Sequence, residues 1–79
     1  MAERINQHNN PIVGTNIRRL RKERGLKAVD VIAKLQLLDI NVNTGIFSKV
    51  EKCRNNPTVE MLIALTDIFQ CDFNEFFKR

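Results

Sequence analysis

The side chains of this chain that could do chemistry suit the holding of a charged partner better than the breaking of bonds. Lys49 carries an ammonium, Thr44 and Ser48 carry hydroxyls, and Asn43 and Asn55 carry amides. Lys27, Lys52 and Arg54 add further cations within the same stretch of sequence. Together they are hydrogen-bond donors and fixed charges. A covalent mechanism needs more than this, and the chain has no nucleophile with a base, no metal-ligand set and no paired carboxylates at a useful spacing. Cys53 and Cys71 stand far apart, neither in a C-x-x-C pair, and the lone His8 does not complete a site with them. The expectation is two reduced, small apolar side chains, with no metal, no cofactor and no enzymatic activity.

The charge pattern narrows the partner. From Thr15 to Arg54 the chain holds ten Lys or Arg against four acids, whereas from Pro57 to Arg79 it holds two against four. The net charge of +4 is therefore concentrated in the first two thirds of the domain. Such an asymmetry suits a polyanion. A length of 79 residues allows one domain with one core, and a hydrophobic share of 43% sets it apart from a disordered chain. No apolar run approaches the roughly 20 residues of a membrane span, and Met1 to Pro11 are polar where a secretion signal would be apolar. A cytoplasmic protein without membrane contact is expected.

The elements that must position these groups can be read from spacing. Residues 1–14 show no sustained period and read as a flexible arm, so the domain is expected over 15–79. Thr15 is a candidate cap for a helix over 15–24, with Ile17 and Leu20 inward and Gly25 able to end it in a left-handed conformation. Val29, Ile32, Leu35 and Leu38 recur every third residue and predict a second helix over 28–38. Its start lacks a Ser or Thr cap, so the first N–H groups have no side-chain acceptor unless Asp30 reaches back. Residues 39–43 (D-I-N-V-N) read as a turn with Ile40 and Val42 inward, and Asn43 is the cap expected for a third helix over 44–52. That helix would bury Phe47 and Val50 and present Thr44, Gly45, Ser48, Lys49 and Lys52. After a loop, Thr58 can cap a fourth helix with Val59, Leu62, Leu65 and Phe69 inward. Asp72-x-x-Glu75 predicts a capping box for a short fifth helix carrying Phe73, Phe76 and Phe77.

Two helices joined by a tight polar connection, the second short and polar outside, make a unit that can enter a duplex. The major groove of B-DNA is about 12 Å wide and accepts one α-helix. The order of motifs adds to this. The run I-R-R-L-R-K-E-R-G-L (Ile17 to Leu26), then S-K-V-E-K (Ser48 to Lys52), R-N-N-P-T-V-E-M-L (Arg54 to Leu62) and D-F-N-E-F-F (Asp72 to Phe77) resemble the DNA-binding domain of the phage lambda repressor and Cro type over about residues 13–77. The resemblance implies an all-α, compact five-helix bundle with a helix-turn-helix. It also implies a homodimer on a palindromic double-stranded DNA operator, regulating transcription. In the related domains an arginine near the end of helix 1 pairs with a glutamate late in helix 3, which implies a structural pair of Arg21 and Glu51. Residues 35–51 are longer than in the shortest members, like a variant subgroup with a longer turn, and Lys27, Ala28, Thr44 and Gly45 stand where Gln, Arg or Ser are frequent.

Within that frame Lys49 is the first choice for a base contact, donating to guanine O6 and N7. Thr44 can touch a thymine methyl or a phosphate, and Asn43 can cap the helix and also reach DNA. Gly45 can only allow the backbone close. Lys27, Lys52, Arg54 and Asn55 are placed for phosphates, giving affinity without discrimination. Met61, Ala64 and Ile68 form a second apolar line on helix 4, and Phe76 and Phe77 put two rings on a short helix. These five either line a dimer interface or complete the core. The competing function is a protein-interaction module on the same fold, such as an accessory or antitoxin-like subunit.

Overall fold

Left-handed residues end every α-helix among the described residues, and they set where the elements fall. The computed structural model describes Arg4 and residues 11–79; the arm expected over 1–14 lies largely outside them. Among the described residues there are four α-helices, α1 (Val13–Glu23), α2 (Ala28–Leu37), α3 (Thr44–Glu51) and α4 (Val59–Phe69). A closing 3-10 helix (Phe73–Phe77) follows, and no strand is formed. Arg4 makes an isolated antiparallel bridge with Thr58, and its guanidinium donates to the Asn56 carbonyl at 2.9 Å.

The first helix begins two residues before the expected start. Val13 is buried with Ile17 and Leu20, so the apolar stripe reaches back past Thr15, which is exposed on the helix. No side chain caps this end. At its other end Gly25 (φ 67°) is left-handed, and the N–H groups of Gly25 and Leu26 donate to the carbonyls of Lys22 and Arg21, both at 3.0 Å. That is a Schellman ending. The same pair of bonds closes α2 at Asp39 (φ 63°), α3 at Cys53 (φ 63°) and α4 at Gln70 (φ 52°), where the left-handed residue is not glycine.

In α2 the buried residues are Val31, Ile32 and Leu35, with Ala28 partly buried beside them; Val29 and Leu38, expected inward, are exposed. Asp30 does reach back, its Oδ2 accepting from the Lys27 N–H at 3.1 Å. The side chains of Asn43 and Thr58 accept from the N–H groups of Ile46 and Met61, at 2.8 and 3.1 Å, and start α3 and α4. Asp72 makes no side-chain cap bond, so the expected capping box is not formed.

The core lies where α1 packs on α3 and on the closing helix, and where α2 packs on α3 and α4. Phe47, Phe69 and Phe76 are its largest fully buried side chains. Asn16 is buried among them. Its amide donates to the carbonyls of Phe76 (2.9 Å) and Lys78 (2.8 Å), while its Oδ1 accepts from Arg19 Nε at 3.2 Å. This side chain fastens the end of the chain to α1. No buried side-chain polar atom lacks a partner among the described residues, as a core this small requires.

Candidate nucleic-acid interface

At about 100° per residue, Thr44, Gly45, Ser48, Lys49 and Lys52 occupy an arc of roughly 140° on α3. Phe47 and Val50 hold the opposite side of the helix in the core. Thr44, Gly45, Lys49 and Lys52 are exposed and Ser48 is half-buried, so this face carries hydroxyls and ammonium groups and no acid. Gly45 is not demanded by sterics, since a Cβ there would meet only Asn43 Oδ1 at 3.4 Å.

What aims this face is built from the residues around it. The connection 38–43 leaves α2 through left-handed Asp39, and Gln36 Nε2 donates across it to the Val42 carbonyl at 2.9 Å. Val42 is buried and Ile40 packs against the core, so the connection is held from inside as well. On the other side, Arg21 on α1 grips Glu51 on α3 with two parallel bonds. Nε lies 2.7 Å from Oε2 and Nη2 lies 3.0 Å from Oε1, while Nη1 donates to the Leu26 carbonyl at 3.1 Å. The side chains are 13% and 8% exposed. Hydrogen bonding to Glu51 raises the Arg21 pKa above its ordinary value, against the opposing effect of burial, so the guanidinium stays charged.

Beside the pair, Arg18, Ala28, Thr44, Ser48 and Lys52 help to line a cleft of about 280 Å³ between α1, α2 and α3. Lys27 stands exposed immediately before α2, next to Ala28. Arg54 is exposed beyond α3, and Asn55 is half-buried with its N–H bonded to the Lys49 carbonyl at 3.2 Å. Asn43 is engaged as the cap of α3. The nine residues singled out for a duplex thus gather along one helix and its two flanks.

Ion pairing divides the surface. Among the described residues, salt bridges join Arg19 and Arg24 to Glu23, Arg19 and Lys78 to Glu75, and Arg21 to Glu51. No salt bridge among those residues involves Arg18, Lys27, Lys49, Lys52 or Arg54. Arg18 is one residue that sequence reasoning missed here; its helical position, three before Arg21, was the available signal.

The residues named for a dimer interface do not form a free surface. Met61, Ala64 and Phe76 are buried in the core and Ile68 packs against it, which leaves only Phe77 exposed. α4 packs on both α2 and the closing 3-10 helix. Other exposed apolar side chains are Val29, Leu37, Leu38, Ile46, Ile63 and Phe73.

Cys53 and Cys71 are free thiols, and burial pushes the Cys71 pKa up, away from the reactive thiolate. Among the described residues no group of His, Cys, Asp and Glu could hold a metal, and His8 lies outside them. No helix among those residues is long and apolar enough to cross a membrane. No family model, curated protein or solved structure matches the chain.

Proposed function

We propose that this chain is a sequence-specific double-stranded-DNA-binding transcriptional regulator, a cytoplasmic repressor that lays α3 in the major groove. The observation that carries the reading is the outward arc of α3, which holds donors and no acid and is flanked by cations without salt bridges among the described residues. Cations kept from intramolecular pairing are available to displace counterions from phosphates. The order of four α-helices and a closing 3-10 helix supports the lambda repressor-like reading of the fold, on the motifs that carry the resemblance. A homodimer on a palindromic operator belongs to the same reading, with half-sites about one helical turn apart.

Lys49 reads a base edge in this account, and Lys27, Lys52, Arg54 and Asn55 hold the backbone. Fluorescence anisotropy on a random duplex should show affinity falling steeply with salt, and selection from a random pool should enrich a palindrome. Lys49→Ala should cost about 1–3 kcal/mol on the selected site and much less on random duplex. Negligible affinity for every duplex at about 50 mM salt would leave the protein-interaction module as the function. That second reading is favoured by one observation: Thr44 and Gly45 give the start of α3 little side chain with which to read bases.

A further inference from the structure

Leu37, 84% exposed, and Leu38, 49% exposed, stand where α2 ends. With half-buried Ile68 they line a shallow cleft of about 360 Å³, bounded by Lys34 on α2, by Asp67 on α4 and by Gln70 just beyond it. Ile63, 55% exposed, lies one turn before Asp67 on α4, outside the cleft. Neither Lys34 nor Asp67 takes part in a salt bridge among the described residues. We infer that this face binds a second copy of the chain, leucine strip on leucine strip, about a two-fold axis.

The argument for a second copy is the placement of charge. Lys34 belongs to α2 and Asp67 to α4, so a two-fold axis running along the strip between the two helices sets each cation against the partner's anion. Lys34 then meets the partner's Asp67, and the contact occurs twice, as an isologous interface requires. A uniformly acidic or basic partner would be repelled by one of the two charges. Asp67 also makes the face unsuited to a nucleic-acid backbone. The strip lies at the far end of α2 from Ala28, about 14 Å away along the helix at 1.5 Å per residue. It shares no residue with the cleft beside α3, so both faces can be engaged together.

This interface supplies the two-fold partner of the regulator reading and rests on that reading for its biological sense, yet it can be measured without DNA. Sedimentation equilibrium of the full chain should show reversible dimers in the micromolar to sub-millimolar range. Leu37→Asp should weaken association at least tenfold and leave the melting temperature of the monomer unchanged, because Leu37 buries little within the chain. Lys34→Asp and Asp67→Lys should each weaken it tenfold or more, and the double exchange should restore it to within about threefold, the pair having been reversed with its geometry kept. A wild-type chain that stays monomeric throughout overturns the inference, as does a Leu37→Asp variant that dimerises normally or a double exchange without rescue. Loss of duplex binding with dimerisation intact would sink the regulator reading alone.

Discussion

Replacing Glu51 with alanine tests how far α3 depends on its tie to α1. The substitution removes both acceptors of the Arg21 guanidinium and leaves only the Leu26 carbonyl. Breaking a well-buried pair costs about 3–5 kcal/mol, because the surviving charge is stranded. Here the cost falls lower, at about 2–3 kcal/mol, since Arg21 keeps one acceptor and its flexible stem can carry the head toward water. For a domain of this size that corresponds to a melting temperature lower by roughly 10–20 °C. Thermal denaturation followed by circular dichroism measures it directly. Glu51→Gln keeps one acceptor and should lose about half as much, whereas exchanging both partners for apolar residues, Arg21→Met with Glu51→Leu, should recover most of the loss. A Glu51→Ala protein melting within about 3 °C of the parent would refute the reasoning, and so would an apolar double variant no better than Glu51→Ala.

Further outcomes follow from single features. Asn43→Ala removes the acceptor for the Ile46 N–H and should cost about 1 kcal/mol, read from the urea midpoint at unchanged slope. Gln70 sits at φ 52°, so Gln70→Gly should relieve left-handed strain by more than the added chain entropy and raise stability by about 0.5 kcal/mol, read as a higher urea midpoint, a lower midpoint arguing against strain. The hydrogen bond from Lys78, and then that from Arg19, hold the Glu75 carboxyl below the usual carboxylate range despite the opposing desolvation. Its contribution is therefore complete above that range and fades as the pH falls through the lowered value. The melting difference between the parent and Glu75→Gln should accordingly be largest near neutrality and vanish in strong acid; a difference that grows on acidification would reverse the sign.

Much of the helical order was legible in the residues, and the failures have physical causes. Asn43 and Thr58 cap α3 and α4 because each oxygen stands just before an unbroken apolar stripe, the strongest local signal for a helix start. Thr15 offered the same oxygen but inside the stripe, and burial of Val13 outweighed it. For α2, a spacing of three slips by about 60° at each step, so Val29, Ile32, Leu35 and Leu38 spread over half the helix. Ala28, Val31, Ile32 and Leu35 stay within about 100° and form the side that packs inward. The outward set on α3 could be read because Phe47 and Val50 leave no ambiguity about the inner side. Asn16 gave no signal, since nothing local distinguishes an amide that will be buried against the end of the chain from one in water. The pairing that leaves some cations engaged and others not is a tertiary property, which charge counting along the chain does not contain.

The connection ahead of α3 is secured at Asp39, at Gln36 through the Val42 carbonyl, and at the Asn43 cap. A loop so fastened has already surrendered its conformational entropy during folding, so little ordering remains to be done when a ligand arrives. Association should then proceed as a near-rigid encounter, with affinity set by the contacts themselves and discrimination exerted through the lifetime of the complex more than through its rate of formation.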